Sequence, residues 1–243
     1  VTEELIRIEN LSKSFGNKEV LKNINLQFNR GEIFALIGPS GAGKTTLLRI
    51  LDFLETPSGG RLAFNRLQLN GSQKTDARRR MSMLFQAPAV FNESVFNNVA
   101  YGLRIRRVDK YTLEKKVRNA LAIVGLEGKE RQRARTLSGG EAQRMAFARA
   151  IVYDPDILLL DEPTANLDPA NAAKVEEMIK RIRDEHGTTI VIATHNIYQV
   201  RRIADRVGIL LNGELIEVNS RDGIFTAPKD ARSAAFLKGE MIY

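Results

Sequence analysis

The chain has 243 residues, 43% hydrophobic and 27% charged, which is the balance of a globular protein with core enough for one large domain or two small lobes. The absence of cysteine excludes disulfides and thiolate metal sites, and no apolar run approaches the roughly 20 residues that span a bilayer. The formal net charge of +8 is uneven, with eleven Lys/Arg against four Asp/Glu between Arg104 and Thr136, which fits nucleic acid, an anionic membrane face, an acidic partner or a plain solvated helix surface.

The opening VTEELIRIEN has no basic and apolar regions of a signal peptide, so nothing suggests export, and the lack of cysteine fits a cytoplasmic location. LIRIEN and VLKNINLQF alternate, with Ile24, Leu26 and Phe28 on one face, and predict antiparallel strands. EIFALIG is a continuous apolar run, as in a strand buried on both faces. It feeds KTTLLRILDFLE, a helix expected to stop ahead of Thr56-Pro57. RLAFNRLQL and MSMLFQ predict two further strands. From Ala87 to Asp154 strand patterns give way to helical ones. In YTLEKKVRNALAIVGL, Leu113, Val117, Leu121 and Val124 share a face. Ser138 is an N-cap and Glu141 completes a capping box, opening a helix expected to end at Pro155. DILLLD and TTIVIAT resume the buried-strand pattern. Between them runs a helix with Asp168 as N-cap, Pro169 first, Val175, Met178, Ile179 and Ile182 inward, and Gly187 at its end. VGILLNGELIEV predicts a hairpin about Asn212-Gly213.

Gly38, Pro39, Ser40, Gly41, Ala42, Gly43, Lys44 and Thr45 satisfy G-x-x-x-x-G-K-[ST] between a buried strand and a helix, the context that makes this a phosphate loop. Backbone N–H groups would wrap phosphates, Lys44 would reach the outer two, and the Thr45 hydroxyl would face Mg²⁺. The predicted fold is α/β: a P-loop NTPase core with a mainly parallel sheet, an N-terminal antiparallel β part and an inserted helical lobe. Residues 1–86 and 155–220 would form the core, 87–154 the lobe and 221–243 a short tail.

ILLLDEP ends a strand on adjacent carboxylates. Period-two geometry would point Asp161 and Glu162 apart, Asp161 to the metal shell and Glu162 to a water attacking the γ-phosphate. Taken alone, such acids also serve as turn caps. His195 follows the last buried strand, where a hydrogen-bonded turn residue and a member of the same crevice are both open readings. Gln86 follows MSMLF and faces metal or water, or merely solvent. Phe15 suits base stacking or ordinary packing. Gly139 and Gly140, after Ser138, would let an anion approach a second helix start about a hundred residues from the first.

Gly38–Thr45, Gln86, LSGGEAQR, ILLLDE, ANLD at 165–168 and His195 stand in the order and spacing of the ATP-binding cassette family, which the chain resembles over almost its whole length. The resemblance implies ATP and Mg²⁺ as cofactors, with Phe15 stacking on adenine, Thr46 within the phosphate loop and Gln86 linking nucleotide to partner. It implies Glu162 as catalytic base and His195 on the γ-phosphate. Thr45, Gln86 and Asp161 would serve the metal. It further implies a head-to-tail dimer in which Ser138, Gly139 and Gly140 of one copy close on the nucleotide of the other and ANLD crosses the interface. Phe15 stands where tyrosine is frequent, and Asn196 where aspartate is common. The implied activity is ATP hydrolysis at the cytoplasmic face of a membrane, driving uptake through separate permease subunits fed by an extracytoplasmic binding protein. FQAPAVFNESVFNNVAYGLR and FLKGEMIY resemble oxyanion importers, tungstate foremost, then phosphate or molybdate. The alternative is a soluble cassette ATPase acting on nucleic acid.

Overall fold

The computed structural model describes residues 3–65, 67–68 and 72–240. Two sheets organise it. β1 (Glu4–Phe15) and β2 (Lys18–Asn29) pair antiparallel, and β4 (Gly59–Phe64) and β5 (Leu67–Gln68) extend the sheet in the order β2-β1-β4-β5. Ile24, Leu26 and Phe28 are buried, as their alternation requires.

The second sheet has the order β10-β9-β3-β8-β7-β6, built from β3 (Ile33–Ile37), β6 (Met81–Leu84), β7 (Ile157–Asp161), β8 (Thr189–Thr194), β9 (Arg206–Leu211) and β10 (Glu214–Ser220). All its pairings are parallel except the β9–β10 hairpin, whose turn residues Asn212 and Gly213 have φ of 50° and 80°. The central strands β3, β7 and β8 are buried throughout because both faces are covered, and their polar residues stand only at strand ends. In β7, Leu158 and Leu160 enter one core and Ile157 and Leu159 another; in β8, Ile190 and Ile192 part from Val191 and Ala193 in the same way. Each of these leucine, isoleucine and valine side chains contributes roughly 1.5–3 kcal/mol.

The helices are α1 (Lys44–Leu51), α2 (Ser72–Arg79), α3 (Val95–Ile105), α4 (Lys110–Ile123), α5 (Gly139–Ile151), α6 (Pro169–His186), α7 (Ile197–Ile203), α8 (Arg221–Thr226) and α9 (Ala231–Lys238). Helices α3, α4 and α5 pack together through Val99, Leu103, Val117, Leu121 and Phe147, all buried. Leu113 and Val124 are buried with them.

Several boundaries differ from the sequence expectation. Helix α1 stops at Leu51, because Phe53 takes φ 55° and Leu54 and Glu55 both donate to the Arg49 carbonyl. Helix α5 stops at Ile151, ahead of Pro155, in a turn where Asp154 takes φ 53°. The strand expected over 61–69 breaks at Asn65, φ 51°, and its residues 66 and 69 lie outside the described residues. Within the short tail expected over 221–243, residues 221–240 carry α8 and α9, and the final residues of FLKGEMIY lie outside the described residues. Helices α2 and α7 are additions to the sequence reading.

Candidate active site

The parallel strands β3, β8, β7 and β6 end side by side, so whatever follows each of them gathers along one edge of the sheet. After β3 comes the loop 38–43. A Cβ at Gly38 would lie 2.1 Å from the Leu210 carbonyl oxygen, and one at Gly43 would lie 2.7 Å from Leu21 Cδ2, so glycine is required by space at both. Gly41 is required by conformation instead, with φ 79° and nothing within 4 Å of a Cβ. Ala42 donates to the Pro39 carbonyl and Ser40 is exposed. Gly43 makes no side-chain cap and the first turn of α1 holds no acidic residue, leaving its N–H groups available to an anion. Beside them lies a cavity of about 490 Å³ lined by Lys18, Glu19, Val20, Gly41, Gly43, Lys44, Thr45, Thr46, Asn212 and Gly213.

Lys44 is buried and its ammonium donates to the Gly38 and Pro39 carbonyls at 2.8 and 3.0 Å. Burial lowers its pKa, while Glu162 and Asp161 oppose that shift. Thr45 donates its hydroxyl to Asp161 Oδ1 at 3.0 Å. Burial raises the Asp161 pKa, and the Glu162 charge adds to that rise. A buried carboxylate under that strain, facing a hydroxyl, is a hard-oxygen pair that fits Mg²⁺. Among the described residues no cluster of three or more His, Cys, Asp or Glu could hold a metal, so further oxygens would come from Gln86, water or a phosphate.

Glu162 does point away from Asp161, but not by strand alternation. β7 ends at Asp161, and Glu162 adopts φ 47°, a left-handed backbone unusual for a side-chain-bearing residue. Its N–H donates to the Ala193 carbonyl at 2.9 Å. One carboxylate oxygen accepts the Thr194 hydroxyl at 3.2 Å; the other lies 2.8 Å from His195 Nδ1 and 4.0 Å from Lys44 Nζ. His195 is exposed on its outer side, over a cavity of about 550 Å³ that Glu162, Thr194 and Asn196 also line. Asn196 caps α7 by accepting the Gln199 N–H.

Gln86 is exposed two residues beyond β6; Leu84 pairs in register with Leu160, which puts Gln86 past the same strand ends as Asp161. Phe15, at the end of β1, is 49% exposed, which removes the core-packing reading, and the Lys13 ammonium sits 4.6 Å from its ring centroid. The structure thus gathers residues 38–46, Asp161, Glu162 and His195.

Ser138, Gly139 and Gly140 stand apart. The capping box forms in full, with Ser138 Oγ accepting from Glu141 N and the Glu141 carboxylate accepting from Ser138 N. A Cβ on Gly139 would meet nothing, whereas one on Gly140 would come within 3.0 Å of the Asn171 side chain. Gln143 donates to the Pro163 carbonyl at 3.0 Å and Arg144 to Asn171 at 3.2 Å, which ties α5 to the turn after Glu162 and to the start of α6. Asp168 caps α6 by accepting from Ala170 and Asn171. Among the described residues no hydrogen bond or ion pair joins Ser138, Gly139 or Gly140 to the 38–46 loop. Thr194, Gln143 and Asn171 were not legible as site residues; only the polar end of TTIVIAT hinted at the first.

The model of the ABC transporter family matches residues 21–165. A phosphate import ATP-binding protein of Natronomonas pharaonis is 43% identical, covering 100% of this chain and 89% of that one. A probable anion import ATP-binding protein of Haloferax volcanii is 41% identical, over 96% and 86%. The cbiO1 structure from Clostridium perfringens, part of an ABC transporter complex, superposes with a TM-score of 0.87 at 29% identity, covering 98% of this chain and 97% of that one. A dimeric post-hydrolysis ATP-binding cassette bound to ADP and Pi gives a TM-score of 0.80 at 29% identity, over 89% and 99%. The chain belongs to the ABC transporter family, as one of its ATP-hydrolysing cassettes.

Proposed function

We propose that this chain is the ATPase subunit of an importer, acting as a pair of identical cassettes at the cytoplasmic face of a membrane and driving separate permease subunits supplied by an extracytoplasmic binding protein. The observation that carries the reading is the Glu162 carboxylate held against His195 at 2.8 Å with Lys44 at 4.0 Å, beside the glycine-built phosphate loop. Among the described residues no helix is long and apolar enough to cross a membrane, so the reading assigns the pore to another polypeptide.

In this reading Gly38 to Thr46 cradle the phosphates through backbone N–H groups, and Lys44 leaves its two carbonyls for the outer phosphates. Thr45, Asp161 and Gln86 would hold Mg²⁺, which would supply charge neutralisation at the phosphates. Glu162 takes the proton of the attacking water, and His195 orients Glu162 and faces the γ-phosphate. Phe15 stacks on adenine. Ser138, Gly139 and Gly140 serve the nucleotide of the partner subunit, because among the described residues the capping box leaves the Gly139 and Gly140 N–H groups without an acceptor and no bond joins this turn to the chain's own phosphate loop; a two-fold pairing then makes two equivalent sites. Residues 1–86 and 155–220 act as the nucleotide core, 87–154 as the lobe that transmits closure to the permease, and 221–243 as an appendage.

The solute is an oxyanion. Relatives named for phosphate and anion import support phosphate ahead of tungstate, for which only the resemblance of 85–104 and 236–243 speaks. The nucleic-acid alternative draws on the basic stretch 104–136, yet Lys116, Arg118 and Lys129 there pair with Asp154, Glu114 and Glu141. Copurification from membranes tests the choice. The reading predicts a permease subunit bound to this chain and ATP-dependent oxyanion uptake by the reconstituted pair; salt-sensitive DNA or RNA binding with no membrane partner would contradict it.

A further inference from the structure

The cap that opens α5 contains a conflict of charge. Glu141, in the first turn, accepts from the Ser138 N–H at 2.9 Å, and its negative charge favours the empty helix by opposing the dipole. The same charge repels an anion approaching the same N–H groups. Glu141 cannot escape by protonation, since its hydrogen bonds to Lys129 and Ser138 hold its carboxyl down to about 2.

Lys129 meets the conflict from another segment. Its ammonium donates to the second oxygen of Glu141. Lys129 lies in the connection between α4 and α5, and that connection is itself fixed: Lys129 N donates to the Leu126 carbonyl at 3.2 Å and its own carbonyl accepts from Gln132 at 3.0 Å. Its neighbours Glu130 and Gln132 accept from Phe96 and Val95 at the start of α3. The backbone that carries Lys129 is therefore fixed in place beside Glu141, while the side chain itself stays partly exposed. A partly exposed ion pair of this kind adds little to folding, so its consequence lies in the field at the helix start.

We propose that Lys129 is a positioning residue for ATP-driven closure: it neutralises Glu141 and holds it back onto Ser138, so that the start of α5 meets a triphosphate as a capped but uncharged cradle. The inference rests on the reading that this helix start receives the partner subunit's nucleotide, and it adds a residue that the sequence hides among ten other basic residues between Arg104 and Thr136.

The test uses the full chain carrying Glu162→Gln, with the ATP concentration for half-maximal dimerisation read by light scattering. Lys129→Met in that chain requires on the order of tenfold more ATP. Adding Glu141→Gln, which removes the charge but keeps an acceptor for Ser138, returns the requirement to within about twofold of the Glu141→Gln chain alone. An unchanged requirement in Lys129→Met overturns the proposal. A double variant as impaired as Lys129→Met also overturns it, because packing rather than charge would then be at work. A Glu162→Gln parent that stays monomeric in ATP overturns the reading of the partner cradle itself, and is distinguished by that parent result.

Discussion

His195 Nδ1 and Glu162 Oε1 lie 2.8 Å apart, although the two residues follow different strands and are brought together only because β7 and β8 are neighbours in the sheet. The contact fixes one oxygen of Glu162, Thr194 fixes the other, and the left-handed backbone at Glu162 turns the side chain towards Lys44. A carboxylate aimed in this way suits a general base and is a poor turn cap.

Glu162→Gln keeps the size and the hydrogen-bonding capacity of the side chain but cannot take a proton. Steady-state ATP hydrolysis is expected to fall by roughly 10²- to 10⁴-fold, with ATP binding retained and a nucleotide-bound dimer accumulating on size exclusion. Hydrolysis at the parental rate would remove Glu162 from the base role.

Lys44→Ala removes the buried ammonium that Gly38 and Pro39 hold beside the loop. Calorimetric titration is expected to show ATP affinity reduced by at least tenfold, about 1.4 kcal/mol or more. Unchanged affinity would show that the loop binds phosphate through its backbone alone.

Glycine substitutions separate space from conformation. Gly38→Ala would drive a methyl group to 2.1 Å from the Leu210 carbonyl and is expected to destabilise by about 1–3 kcal/mol, lowering Tm by several degrees. Gly139→Ala meets nothing within 4 Å and is expected to leave Tm unchanged or slightly raised. Equal losses in both would contradict the packing described for the loop.

Asp52, the C-cap of α1, is buried, and burial raises its carboxyl from 3.8 to about 6 against the lowering effect of Arg78. The folded state therefore binds this proton more tightly than the unfolded state, and the buried charge costs about 3 kcal/mol above pH 6. That cost is relieved as pH falls through 6 and is gone near 4. Asp52→Asn is expected to raise Tm by several degrees at pH 7.5, by less at pH 5, and not at pH 4. A gain independent of pH would show that Asp52 is not titrating.

The sequence made the central strands, α4 and α6 legible because each has enough apolar residues at one period to fill a face, and α5 legible through its capping box. Helix α2 carries a single buried apolar residue, Ala77, and so has no period to read. Helix α7 has seven residues and buries Gln199 beside Val200 and Ile203, which masks its amphipathic pattern. The site residues with motif spacing were legible for the same reason that they are constrained, since a phosphate loop tolerates little variation. What escaped was set by tertiary contact: the turn that reorients Glu162, the Thr194 hydroxyl behind it, and Lys129 reaching across to Glu141.

The pairing of two copies around each nucleotide is tested most directly by a crystal structure of the Glu162→Gln chain with ATP and Mg²⁺. The expected result is a two-fold dimer with each triphosphate held between Lys44 of one copy and the Ser138–Gly140 turn of the other. A nucleotide-loaded structure with that turn facing its own chain or open solvent would contradict the account.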